Sequence, residues 1–306
     1  MVVLAQVARG MIALGQDVRI LVWEEPTGAS RELLAGLRID DIRMNPPAAD
    51  EMFIVPEGWP NALAFGLRAG CQTVIYCQNW SFLFQGLEEG VRWRGLPVDF
   101  LAVSDPIAWH LEQVLGKRPF IIRPSIDRGL FHPPVSRPDG PVRIGFMPRK
   151  NKALAEQIRR IFEERNPKAQ VQWVPIHGLD RSGVAEALRS CHVFLVTGFP
   201  EGCPLPPLEA MACGCLCAGF TGFGGWDYMR QMEPDGFSPH GYRPRNVSWG
   251  GNGWWVADGD VLGAAKGLER AVARIGCTHV EALEAMLEAY SEASQNREIQ
   301  AWAKTF

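Results

Sequence analysis

Short apolar runs and segments of helical period alternate along almost the whole chain. Residues 2–14 carry apolar side chains at helical spacing, and Gly15 supplies a stop. Residues 18–23 (VRILVW) read as a buried strand, with further strands expected at Met52–Val55, Thr73–Tyr76, Phe100–Val103 and Phe120–Ile122. A proline-rich stretch from Phe131 to Pro141 breaks the rhythm and reads as a linker. Alternation then resumes: strand 142–147, helix near 151–165, strand 171–176, helix near 182–190, strand 192–196, a short helix from Pro206 to Cys213, and strand 215–220. Residues 230–252, rich in Gly, Pro and aromatics, read as a surface loop; 254–260 reads as a strand and turn, and 261–306 as helices. Strand–helix units repeated on both sides of a linker predict an α/β chain of two doubly wound parallel sheets.

Composition narrows the function classes. With 306 residues, 47% hydrophobic and 21% charged, the chain has the length of about two domains and ample apolar surface for their cores. Residues 1–137 carry 13 basic and 15 acidic side chains, and residues 138–306 carry 18 and 19. Neither half has the positive field that nucleic acid or anionic lipid demands, so nucleic acid is not expected as a ligand. The start MVVLAQVARG lacks the basic region of a signal peptide, and the uncharged stretch Ala210–Trp226 is broken by glycines, so no membrane span is expected. Eight cysteines without a CxxC do not make a disulfide scaffold, which points to a reducing, cytoplasmic location. Cys213, Cys215 and Cys217 alternate and are expected on one face of a strand; as metal ligands they lack a fourth partner, and packing as core thiols suits them better. No metal site is expected.

The segment FPEGCPLPPLEAMACGC (199–215) carries the chemistry. Its helix starts near Pro206-Pro207, is closed by Gly214, and follows a strand, which places its start at the C-terminal edge of a parallel sheet. Open α/β folds bind ligands at that edge, and free N–H groups at a helix start suit a diphosphate. A carboxylate beside them repels phosphate but accepts hydrogen bonds from vicinal hydroxyls such as those of a ribose. Phosphate site and diol acceptor together describe a nucleotide. The alternative is that Glu209 merely complements the helix dipole and Glu201 is a solvated loop residue.

The string EGCPLPPLEAMACG closely resembles the signature of retaining glycosyltransferases of family 4, the group 1 glycosyl transferases. The resemblance extends to FLAVSDPIAWHLEQVL (100–115), IIRPSIDRGLFHPP (121–134), VRIGFMPRKNK (142–152) and NGWWVADGD (252–260), with Pro124-Ser125 where the family has Asn-Gly. It implies a GT-B-like fold: two Rossmann-like doubly wound parallel-sheet domains facing a cleft. The expected boundaries are an N-terminal acceptor-side domain 1–134, a nucleotide-sugar domain 138–285, and a helix over 286–306 packing back toward the N-terminal domain. The family places a strand and a Gly-rich turn before its first helix, whereas this sequence starts within that helix; either the natural start lies upstream of Met1 or this member dispenses with the turn, and in the latter case nucleotide binding with poor transfer is expected.

Carried over by position, the resemblance implies transfer of a sugar from a nucleotide diphosphate sugar, with retained configuration and no metal or other cofactor. The acceptor is a glycan, lipid or small molecule. Glu209 would hold the donor ribose, Glu201 would contact sugar hydroxyls, and the backbone of Gly202, Cys203, Pro204 and Leu205 would lie under the sugar and diphosphate. Arg149 with Lys152 or Lys150 would neutralise the diphosphate, as charge develops on the leaving group. By its place just past strand 171–176, His177 either lines the base pocket or is merely structural. Gln78, Asn79 and Trp80 would face the acceptor, where the family often carries a polar pair, or else form an aromatic strand end packed into the core. The family's Gly-Gly-x-x-Glu is Gly224-Gly225-Trp226-Asp227-Tyr228 here, so its acid is displaced or lost. A GT-B protein that binds nucleotide sugars without transfer, or a GT-B epimerase, is the alternative.

Overall fold

A computed structural model describes residues 1–276 and 280–305. The chain divides into two units, residues 1–125 with 292–306, and residues 126–291.

The first unit opens with α1 (Val2–Ala13), followed by β1 (Arg19–Val22), α2 (Ala29–Leu33), β2 (Arg38–Asp41), β3 (Met52–Pro56), α3 (Pro60–Ala69), β4 (Gln72–Cys77), β5 (Val98–Ala102), α4 (Asp105–Leu115) and β6 (Phe120–Ile121). The chain's last helix, Glu292–Ala303, belongs to this unit. Strand β4 buries five of its six residues, which is why QTVIYC reads as a near-continuous apolar run. Helices α3 and α4 carry proline in their first turns and end at left-handed glycines, Gly70 and Gly116. The strands form two parallel sheets rather than one: β1–β2, and β3–β4–β5–β6. Between β1 and β3 a side chain replaces the backbone ladder. The Arg19 guanidinium donates to both oxygens of Glu51, at 2.9 and 2.6 Å, and to the carbonyls of Asn45 and Pro46. The last helix is keyed to α1, where a Cβ on Gly10 would sit 2.4 Å from the Ile299 side chain. Glu298 accepts from the Arg123 backbone at 2.6 Å and from its guanidinium at 2.5 Å, which ties the last helix to the segment after β6 as well.

The second unit contains β7 (Val142–Phe146), α5 (Lys152–Arg165), β8 (Val171–Pro175), α6 (Arg181–Arg189), β9 (Val193–Val196), α7 (Leu205–Ala212), β10 (Leu216–Phe220), β11 (Trp254–Val256), α8 (Val261–Ala273) and α9 (Val280–Ala289). Its five strands are all parallel, in the order β11–β10–β9–β7–β8. The order reverses between β7 and β9, the kind of point at which open parallel sheets bind ligands. Ile144, Val193, Leu195, Phe220, Ile158 and Leu268 pack the core between sheet and helices.

The expected strands and helices stand within a residue or two of their places, with some differences. Cys213 caps α7, Cys215 precedes β10 and only Cys217 lies within it, so the three do not share a strand face; all three are buried thiols. Residues 230–252 are irregular but not merely a surface loop, because Tyr242 and Trp249 are buried. Of the helical run expected over 261–306, residues 277–279 and 306 lie outside the described residues. Among the described residues no helix is long and apolar enough to cross a membrane.

Candidate functional site

Two loops meet at the switch point of the second unit. The loop after β7 carries Pro148, Arg149, Lys150 and Asn151; the loop after β9 runs from Thr197 to Pro204. Asn151, in a left-handed conformation with φ 56°, stitches them together by donating to the carbonyls of Thr197 at 2.8 Å and Phe199 at 3.2 Å. Thr197 Oγ1 returns a bond to the Lys150 carbonyl at 3.3 Å. Lys150 Nζ then pairs with Glu201 Oε1 across the junction. Arg149 is exposed and bonds to no described residue, and Lys152, in the first turn of α5, is likewise exposed and unpaired among them. Arg149 and Lys150 thus stand at one sheet edge with Glu201, while Lys152 is set back on the helix.

The helix start is a thinner anion site than the sequence pattern suggests. Pro204 is the N-cap of α7 and Pro206 and Pro207 occupy its first turn, so three of the positions that face a ligand have no N–H. Leu205 contributes the remaining first-turn donor. The positive charge at this edge comes from the side chains of Arg149 and Lys150 rather than from the helix start. Gly202, Cys203 and Pro204 are buried and Leu205 is half-buried. The Tyr228 hydroxyl donates to the Pro204 carbonyl at 2.7 Å and fixes the loop's end.

Glu209 is the fifth residue of α7, beyond its first turn, so the helix-dipole alternative does not describe it. Its carboxylate accepts no hydrogen bond from any described residue. The side chain is half-buried, and the protein around it pushes its carboxyl up to about 7, against the opposing pull of Arg181. A partly buried carboxyl without a hydrogen-bond partner is costly, and bonds from a ligand's hydroxyl groups would satisfy it. His177 is exposed just past β8, the strand beside β7. Asp227, in the stretch that stands where the family has Gly-Gly-x-x-Glu, is fully buried and already bonded to the Tyr290 hydroxyl and, at 3.3 Å, to Arg245 Nε. It anchors residues 230–252 rather than a ligand.

In the first unit, Gln78, Asn79 and Trp80 lie past the C-terminal end of β4. The backbone N–H groups of Gln78 and Asn79 donate to the two oxygens of Glu57 at 2.8 and 2.7 Å. Asn79 Oδ1 accepts from the Ser81 N–H and hydroxyl, so that oxygen is already bonded within the turn, and the Trp80 ring packs on His110 at 5.9 Å. Glu57 escaped sequence reasoning because a lone carboxylate after a strand has no distinguishing pattern. Asp258 was within the matched string NGWWVADGD, yet its task, accepting from the Gly222 N–H at 2.8 Å, depends on a loop 36 residues away. Among the described residues no group of His, Cys, Asp and Glu could hold a metal ion.

Residues 144–274 match the family model described as Glycosyl transferases group 1. The chain is 30% identical over 181 residues to an alpha-1,6-glucosyltransferase of Actinobacillus pleuropneumoniae serotype 7 (strain AP76), a match that covers 58% of this chain and 54% of that protein. It thus spans about half the length of that relative. The structure is similar to sucrose-phosphate synthase from Thermosynechococcus elongatus, with TM-score 0.63 and 13% identity over 98% of this chain and 91% of that one. It is also similar to Anabaena Alr3699/HepE in complex with UDP-glucose, with TM-score 0.61 and 12% identity over 100% of this chain and 96% of that one. The chain has the GT-B fold, two Rossmann-like units with parallel sheets, and its second unit carries the stretch that matches the group 1 glycosyl transferases.

Proposed function

We propose that this chain is a glycosyltransferase that moves a sugar from a nucleoside diphosphate sugar to a hydroxyl-bearing glycan, lipid or small-molecule acceptor, with retained anomeric configuration. The observation that carries the reading is the meeting of a cationic loop with the Glu201 loop at the switch point, inside the stretch that matches the family model. In this reading the bond between the anomeric carbon and the diphosphate oxygen breaks, its electron pair leaves with the diphosphate, and the acceptor oxygen takes its place and sheds a proton. Arg149 and Lys150 stabilise the charge that builds on the leaving group, a role suited to cations aimed at that charge. Glu209 accepts from the ribose hydroxyls, Glu201 from sugar hydroxyls, and His177 borders the base. The acceptor is assigned to the first unit, near Gln78 and Trp80. Because protein cations carry the diphosphate, turnover is expected to survive EDTA. Solubility in the cytoplasm fits the reading.

The complex of HepE with UDP-glucose makes UDP-glucose the first donor to try. The test is release of nucleoside diphosphate from UDP-glucose, ADP-glucose and GDP-mannose, with the anomer of the product followed by proton NMR. Release from one donor with the configuration kept supports the reading. An inverted product overturns retention, and a chain that neither binds nor cleaves any of them overturns the whole.

A further inference from the structure

The turn after β10 is strained around an aromatic residue. Phe223 has φ 64° and ψ −56°, and the Gly224 N–H donates to the Gly222 carbonyl at 2.9 Å, closing a three-residue turn. This is the rare, strained sense of the γ-turn, which glycine would enter without the penalty of a Cβ. Glycine stands on both sides, yet the centre is phenylalanine. Such a residue persists only where its surroundings over-determine it, and such positions cluster at ligand sites.

The surroundings are the Glu201 loop and residues 230–252. The Glu201 N–H donates to the Gly222 carbonyl at 3.0 Å, and the Gly224 N–H donates to the Glu201 carbonyl at 3.1 Å. Phe223 is therefore paired side by side with Glu201. A Cβ on Gly222 would lie 2.8 Å from Glu201 Cβ, and one on Gly224 would lie 2.1 Å from the Gly202 carbonyl oxygen, so neither glycine can be replaced without parting the loops. The Phe223 ring meets the Tyr242 ring edge to face, with centroids 5.6 Å apart and planes at 70°. Tyr242 is only 4% exposed. Its segment is fastened at both ends: Gln231 bridges Gly253, and Trp249 Nε1 donates to the Tyr228 carbonyl at 2.9 Å. Arg230 adds bonds to the carbonyls of Trp226, Met229 and Arg245.

We infer that Phe223 is a wall of the donor-sugar subsite and that residues 230–252 hold it in place through Tyr242, so that the wall limits the bulk of the sugar. The inference rests on the assignment of Glu201 to the donor sugar. A sugar that reaches the Glu201 carboxylate lies beside the residue paired with Glu201, and the strained turn denies Phe223 the freedom to move aside. An unsubstituted hexose is accepted; a 2-acetamido hexose is disfavoured. Phe223 is the specificity-determining residue and Tyr242 a positioning residue.

The test is calorimetric titration of the full chain with UDP, UDP-glucose and UDP-N-acetylglucosamine, with thermal unfolding to confirm that each variant is folded. Wild type is expected to bind UDP-glucose at least about tenfold more tightly than UDP-N-acetylglucosamine, the discrimination a shaped pocket achieves against a small added group. Phe223→Ala and Tyr242→Ala are each expected to reduce that ratio to below about threefold, while Phe223→Leu and Tyr242→Phe keep most of it. Tyr242→Ala lies outside the turn and serves if Phe223→Ala does not fold. Equal binding of the two sugars by wild type overturns the wall, as does a ratio unchanged in the folded alanine variants. So does a loss of UDP affinity as large as the loss for UDP-glucose, which would mark a general collapse. Failure of wild type to bind UDP or either sugar overturns the donor-site reading itself, and is distinct from all of these.

Discussion

Lys150 and Glu201 are ion-paired across the point where the strand order of the second unit's sheet reverses. The Lys150 side chain is 43% exposed, so the pair adds about 1 kcal/mol or less to stability. Its importance lies in placement: it holds a cation and a carboxylate ready on the same loop junction.

That placement distinguishes the two lysines of RKNK. Lys150→Ala is expected to weaken UDP binding by about tenfold to a hundredfold, the worth of one bond to a charged group. Lys152→Ala, altering an exposed side chain on α5, is expected to change it by less than about threefold. Calorimetry on the two variants decides the assignment, and the reverse ranking would move the diphosphate toward α5.

Binding should also depend on pH through Glu209. Burial raises its carboxyl to about 7, while only the ionised form accepts both hydroxyls of a diol. Affinity for UDP-glucose, whose diphosphate does not titrate near neutrality, is therefore expected to rise about tenfold from pH 6 to pH 8, in step with the ionised fraction. Glu209→Gln should bind more weakly and lose the dependence. A wild-type affinity that is flat across this range removes Glu209 from the diol.

Glu57 makes a prediction about the first unit. Burial raises its carboxyl from the ordinary 4.5 to about 7, although the N–H groups of Gln78 and Asn79 and the charge of the chain's amino group pull it down. The folded state then holds a proton that the unfolded chain releases near 4.5. Its contribution to stability is full below that value, shrinks as pH rises to about 7, and is constant above. Glu57→Gln keeps one acceptor and loses one N–H bond, costing about 1–3 kcal/mol. Thermal unfolding at pH 5, 6, 7 and 8 should show a shallower decline in the variant than in wild type. Parallel curves would mean that Glu57 does not set the slope.

Several of these features were legible in the residues, and others were not. The alternation of apolar strands with amphipathic helices predicted parallel sheets in both units, because short runs such as VFLV, buried on both faces, recur between helix-length segments; the division of the first unit's strands into two sheets was not legible. Strand β2, with sequence RIDD, went unseen: two carboxylates and an arginine carry no strand signal, and Arg19 and Arg43 neutralise the two acids only in the fold. The glutamates of 199–215 were found because a cap, a helix and two acids occur in one short string. The poverty of N–H donors at the start of α7 was also written there, in three prolines, but the helix-start pattern masks it. The γ-turn at Phe223 could not be read, since glycines on either side suggest a turn without revealing that the aromatic residue between them takes the strained position. Glu57 and Asp258 depend on partners brought close only by the sheet.

If the C-terminal edge of the second unit's sheet binds a nucleoside diphosphate, Glu209 is the residue on which that binding depends. The most direct test is calorimetric titration of UDP into wild type and Glu209→Ala at pH 8. Saturable binding by wild type and a loss of about tenfold or more in the variant are expected, with thermal unfolding showing that the variant stays folded. Equal affinity in the two proteins contradicts this role of Glu209.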